Sequence, residues 1–166
     1  SGNGNNGTVN GAVLSPDRFG TPNSAFTLNG LDQNVDGNIA GISSMVSSTI
    51  TAWVNYTGNA GGQPYDFFFQ FGVYGNHTFA YGYNFGGQNI DLYSFCTGGI
   101  PAYTAINLNN AWHFIAIVDS VDVSRLYVDG VLLASGVGGP LTDCYQGSPY
   151  FQIGGGSDNQ WVTGGV

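Results

Sequence analysis

Residues 112–135 read WHFIAIVDSVDVSRLYVDGVLLAS, and this run decides the fold because it parses into three strands and two turns. Asp129-Gly130 accepts positive φ at both central positions of a type I′ turn. It is set between Leu126-Tyr127-Val128 and Val131-Leu132-Leu133, which makes a hairpin. A two-residue loop fixes the register: Val128 opposite Val131, Tyr127 opposite Leu132, Leu126 opposite Leu133. Leu126, Val128, Val131 and Leu133 then share one face. Upstream, residues 112–119 are apolar on both faces, with Trp112, Phe114, Ala116 and Val118 against Ile115 and Ile117, as in a strand buried between two layers. Residues 120–124 return the chain into the hairpin.

Moving outward, the same two-residue period recurs. Residues 24–29 alternate Phe26 and Leu28 with Ala25, Thr27 and Asn29; residues 48–56 alternate Ile50, Ala52 and Val54 with Thr51, Trp53 and Asn55. Residues 66–73 place Phe67, Phe69, Phe71 and Val73 on one face. Residues 78–85 do the same with Phe79, Tyr81, Tyr83 and Phe85, and Gly75-Asn76 links the two as a hairpin. Residues 11–14, 89–95 and 150–154 read as further strands, while 1–10, 32–45, 96–110 and 136–148 read as loops. No segment has helical periodicity. About ten short strands joined by tight turns, without crossover helices, predict an all-β, two-sheet antiparallel sandwich. A chain of 166 residues forms one domain with a full core.

Charge excludes some partners. The chain has ten Asp, two Arg, no Lys and no Glu, for a net charge of −8, so it cannot assemble the basic patch that nucleic acid or an anionic membrane surface requires. No run of about 18 apolar residues could span a bilayer. A surface kept soluble by amides, hydroxyls and aspartates suits a secreted or cell-surface protein, with any export signal lying outside these residues. Cys96 and Cys144 lack the CxxC spacing of a zinc or redox site. A disulfide between two loops, favoured over two free thiols, implies an oxidising compartment; closing so long a loop stabilises by roughly 4 kcal/mol in the chain-entropy model.

Several blocks, in order, resemble one family: SGNGNNGTVNGA, DRFG, PNSAFTLNG, ITAWVN, WHFIAIVD, RLYVDGVLLASG and YFQIGG are similar to consecutive parts of the laminin G-like or concanavalin A-like jelly rolls of modular bacterial surface proteins. The resemblance covers most of the chain and implies a jelly roll and a binding scaffold with many ligands. The family pattern also has a strand before the SGNGNNG block and a closing strand after Val166, so residues 1–166 are expected to be a single domain lacking its first and last strands. Unpaired sheet edges of that kind invite self-association.

The resemblance also proposes sites. Related jelly-roll glycosidases use paired carboxylates, usually glutamates, but this chain has no glutamate. Asp66 and Asp91 lie on or beside strands without forming a pair, and Asp36, Asp119 and Asp122 read as turn residues. A catalytic triad finds no better support, since His113 sits among core residues and His77 in a turn. Calcium, a hard cation, needs clustered oxygens. The SGNGNNG loop, with Asn3 and Asn5, resembles a loop that helps hold structural calcium, and Asp158 with Asn76 matches the calcium loops of the similar pentraxins. The alternative is a set of solvated turns. For glycans, Tyr81, Tyr83, Tyr93, Tyr103 and Trp161 are candidate stacking platforms, against the alternative of core or edge packing. The expected function is a non-catalytic extracellular binding or adhesion module for a glycan or a protein surface. A structural subunit of an extracellular fibre is the alternative, and a glycoside hydrolase ranks last.

Overall fold

A computed structural model describes residues 4–39, 47–58, 65–71, 79–84, 89–94, 100–105, 108–120, 122–137, 150–154 and 163–165. Among these residues the chain forms strands and no helix: β1 (Thr8–Asn10), β2 (Val13–Ser15), β3 (Ala25–Asn29), β4 (Asn34–Asn38), β5 (Ser48–Gly58), β6 (Tyr65–Phe71), β7 (Phe79–Asn84), β8 (Asn89–Ser94), β9 (Ile100–Ala105), β10 (Trp112–Asp119), β11 (Val123–Val128), β12 (Val131–Val137), β13 (Tyr150–Ile153) and β14 (Thr163–Gly165). They build two antiparallel seven-stranded sheets, β1-β4-β13-β6-β7-β8-β9 and β12-β11-β10-β5-β14-β3-β2. This is the expected two-sheet sandwich. At one end, edge strand β9 of the first sheet lies against edge strand β12 of the second.

The second sheet is organised by β10, which pairs with β5 on one side and β11 on the other. Alternation buries one face: Ile115, Ile117, Leu126, Val128 and Val54 are all inside, and Leu28, Tyr56, Phe68, Phe69 and Leu108 complete the core. The other face of β10, with Trp112, Phe114, Ala116 and Val118, is only half-buried. The strand is therefore central within its sheet rather than covered on both sides. Its aromatic side chains stay partly wet because nothing among the described residues forms a third layer.

Four expectations need correction. The hairpin turn forms as expected, with φ of 50° at Asp129 and 81° at Gly130, but a bulge after Leu126 pairs it with Ala134 instead of Leu133. The extra residue slips the register, and Val131 at the hairpin tip is 61% exposed instead of sharing the buried face. In β6 a second bulge, between Phe67 and Phe69, breaks the expected alternation and sends Phe68 fully into the core beside Phe69. Three segments read as loops contain strands, the first being β1 within residues 1–10. β4, sequence NVDGN, has a single apolar residue, and is held extended by ladders to β1 and β13; β9 pairs with β8. Finally, Asp36 lies within β4 and Asp119 ends β10, so neither is a turn residue.

Asp119 is 2% exposed. It stands opposite Ser124 on β11 and Ser48 on β5. The Ser124 hydroxyl donates to Asp119 Oδ1, while Oδ2 is buried without a hydrogen-bond partner among the described residues. Burial pushes the carboxyl up to about 6, against the opposing backbone hydrogen bond from Ser120. The folded state therefore holds the proton more tightly than the unfolded chain. This contribution is fully present below the unfolded value near 3.8 and is lost as pH rises through about 6. Asp119→Asn, which keeps an acceptor for Ser124, is expected to remove a pH-dependent loss of up to about 3 kcal/mol across that window. Thermal melts of both proteins from pH 4 to 8 would check it: a wild-type minus variant difference independent of pH would refute the assignment.

Candidate functional site

The first sheet carries a row of polar residues across its strands. Direct cross-strand partners run Thr8 opposite Asp36, Asp36 opposite Gln152, Gln152 opposite Gln70, Gln70 opposite Ala80 and Ala80 opposite Tyr93. Partners in register project to the same face. At roughly 4.8 Å per strand this row is roughly 24 Å long. The alternate rows carry Val9, Val35, Ile153 and Phe69, of which Phe69 belongs to the core and Ile153 packs against it. The alternation of Asn34-Val35-Asp36 and Phe151-Gln152-Ile153 thus sorts polar and apolar side chains onto separate rows.

Within the polar face, Asn10 Nδ2 donates to Asn34 Oδ1 at 2.7 Å and to Asp36 Oδ1 at 3.1 Å. The Tyr150 hydroxyl donates to the second oxygen, Asp36 Oδ2, at 3.2 Å. Gln70 and Gln152 are only 4% and 5% exposed, and Gln152 Oε1 has no hydrogen-bond partner among the described residues. Burial, then the Asp36 charge and hydrogen bond, push the Tyr150 phenol up to about 12. At neutral pH it is therefore a neutral donor with a flat apolar ring, not a phenolate nucleophile. The cluster is a set of buried amides flanked by one carboxylate and one phenol.

The geometry bears on hydrolysis. A glycosidase pair needs two carboxyl groups about 5 to 9.5 Å apart. Asp91 is opposite Gly82 on β8, at a register position on the same face as Tyr93, but four strand spacings, roughly 19 Å, separate β8 from β4. Asp66 is opposite Tyr83, on the other set of rows. His113 Nδ1 lies 2.7 Å from Asp129 Oδ2, which resembles a catalytic dyad, yet Asp129 Oδ1 accepts the Phe114 amide at 2.8 Å and the Asp129 amide donates to the Phe114 carbonyl at 2.8 Å. The carboxylate ties the hairpin turn to β10. Partial burial raises its pKa, but the His113 and Phe114 hydrogen bonds outweigh this and hold it below the ordinary value.

The sequence-predicted site residues fall in several places. Tyr93 sits on the polar row, and Tyr81, opposite Phe69, on a row that carries core residues. Tyr83 is two positions along the same strand from Tyr81, and Tyr103 falls in the irregular part of the β8–β9 ladder, between the pairs Ile90–Thr104 and Leu92–Ile100. Trp161, Asn3, Asn76, Asp158, Cys96 and Cys144 lie outside the described residues. Asn5 lies in the loop before β1. Among the described residues no three His, Cys, Asp or Glu side chains converge. Asn10, Asn34, Asp36, Gln70, Tyr150 and Gln152 were not expected. They come from β1, β4, β6 and β13, and only the strand order brings them together.

The family model of the concanavalin A-like lectin/glucanases superfamily matches residues 29–166. The chain belongs to this superfamily. Among solved structures, this superfamily member is similar to domain 4 of AbnA, a GH43 extracellular arabinanase from Geobacillus stearothermophilus, in complex with arabinotriose (TM-score 0.74, 17% identity, covering 96% of this chain and 78% of that one). It is also similar to the Ruminococcus gnavus IT-sialidase CBM40 bound to α2,3 sialyllactose (TM-score 0.59, 13% identity, 86% and 85%). A third likeness is to Trypanosoma rangeli sialidase in complex with the inhibitor DANA (TM-score 0.65, 16% identity, 96% of this chain and 25% of that one). At these identities the likeness establishes a shared fold. Comparison with curated protein sequences gave no match.

Proposed function

We propose that this domain is a non-catalytic, extracellular carbohydrate-binding module whose ligand lies along the polar row of the first sheet. The observation that carries the reading is the pair of buried glutamines in this row, with Gln152 Oε1 lacking a partner among the described residues. An unpaired buried acceptor costs about 1–3 kcal/mol, and a sugar hydroxyl entering the row would satisfy it. Asp36 and Asn34 supply further acceptors for vicinal hydroxyls. Tyr150 adds a donor and a flat ring against which a sugar face can rest. Two of the fold relatives are described with bound arabinotriose and sialyllactose, which supports a glycan as the ligand class. The single carboxylate among the described side chains of the row suits binding and not acid–base chemistry.

A second reading, a self-assembling fibre subunit, draws on edge strands β2 and β12, which expose Val13, Leu14, Val131 and Leu132. A glycan array followed by calorimetry separates the two. The binding reading expects saturable affinity for at least one neutral oligosaccharide, weakened tenfold or more in both Asp36→Ala and Gln152→Ala at unchanged fold by circular dichroism. No sugar binding together with concentration-dependent polymerisation would favour the fibre.

A further inference from the structure

The chain has two cations, and one of them is held in an unusual setting on the outward face of the second sheet. The Arg18 guanidinium carbon lies 4.0 Å from the Phe19 ring centroid and 4.2 Å from that of Trp53. Trp53 in turn packs on Phe114, centroids 5.4 Å apart at 47°. Register confirms the face: Trp53 stands opposite Phe114, alternating with buried Val54.

The loop that presents Arg18 is tied down. Asp17 Oδ1 accepts the Phe19 and Thr21 amides, each at 2.9 Å. The Gly20 amide donates to the Asp17 carbonyl at 2.9 Å, and the Asp17 amide to the Thr21 carbonyl at 3.1 Å. Asp17 feels the Arg18 charge, but its Oδ1 is spent on backbone and no described aspartate forms an ion pair with Arg18. In a chain of net charge −8, an exposed arginine oriented by two rings and in no direct ion pair with a described carboxylate is set up to receive one. Stacking occupies the faces of the guanidinium and leaves its N–H edge, the part that binds carboxylates bidentately. Phe19, 74% exposed, offers a hydrophobic surface beside it.

We propose that Arg18, Phe19 and Trp53 form a second binding site, on the opposite sheet from the polar row, for the carboxylate of an acidic sugar. Arg18 takes the carboxylate through its N–H edge, and Phe19 takes the apolar side of the same sugar ring. The site does not depend on the polar row, so either can fail alone. Its ligand chemistry is shared by uronic and sialic acids.

The test uses trigalacturonate against its methyl ester, and 3′-sialyllactose against lactose, by calorimetry in low salt. At least one acidic member is expected to bind tenfold or more tightly than its neutral counterpart, which also tells uronic from sialic acid. Arg18→Gln should abolish that preference and Arg18→Lys should restore little of it, because the fork is lost. Arg125→Gln removes the same charge elsewhere on this sheet and should change affinity less than twofold. Equal loss in Arg125→Gln would reduce the effect to net charge and overturn the proposal. So would the absence of any preference for the acidic member of both pairs, or a preference that survives Arg18→Gln.

Discussion

Phe68→Ala is expected to lower stability by about 3–5 kcal/mol, the range for truncating a buried aromatic, and the melting temperature by roughly 10 °C or more. Phe68 is fully buried and meets the Tyr56 ring edge-on, centroids 6.3 Å apart at 81°. Tyr56 belongs to β5 of one sheet and Phe68 to β6 of the other, so this contact is part of what holds the sandwich together. Its carbonyl also accepts the Gly154 amide at 2.9 Å, extending the β6–β13 ladder by one rung. The bulge that directs Phe68 inward gives the site little room to collapse, because Phe69 is buried next to it. Phe68→Leu, which keeps most of the volume, should recover more than half of the loss. Denaturant unfolding of the three proteins checks this, and an Ala variant within about 1 kcal/mol of wild type would show that the two sheets do not depend on this residue.

Nothing in the local sequence distinguishes Phe68 from its neighbours. In DFFFQF every phenylalanine is a credible core residue, and strict alternation selects Phe67, Phe69 and Phe71. A bulge has no signature in such a run, because it is set by how β6 must pair with β7 and β13 at once. The hairpin at Asp129-Gly130 was legible because turn chemistry is local, as were β5 and β10 because their apolar periods are long. β4 was not. Asn, Asp and Gly are poor strand formers, and NVDGN reads as a turn until β1 and β13 are placed on either side of it.

The candidate site was hidden for the same reason. Asn10, Asn34, Asp36, Gln70, Tyr150 and Gln152 are scattered through the chain and belong to no motif. They meet because β13 inserts between β4 and β6, a long-range choice that no local pattern records. Aromatic residues, by contrast, advertise themselves by type, so a search for sugar platforms from sequence turns to tyrosines on strands. Of those, Tyr93 shares the polar row and Tyr81 falls on a row carrying core residues. The distinction is one residue of parity, which register supplies and composition cannot.

That dependence on register makes Gly154→Ala the most informative single change at the site, although Gly154 binds nothing itself. It follows β13 directly, with φ of 87°. A methyl group there would run into Leu28 Cδ1, with Cγ at 3.1 Å and Cδ2 at 3.2 Å. Leu28 is 1% exposed and has nowhere to retreat. Overpacking costs about 1–3 kcal/mol, and the left-handed backbone adds about 1–2 kcal/mol for an L-residue, so a total of about 2–5 kcal/mol is expected. Gly130→Ala is the natural comparison: its φ is 81°, but a Cβ there meets nothing within 4 Å, so only the backbone cost applies. The excess of Gly154→Ala over Gly130→Ala in denaturant unfolding measures how closely β13 is pressed onto the opposite sheet. Relief of the clash by pushing β13 outward would displace Gln152 and Tyr150 with it, and glycan affinity should fall in Gly154→Ala but not in Gly130→Ala. Equal unfolding losses in the two variants would mean that Leu28 yields, and that the polar row does not rely on this contact for its position.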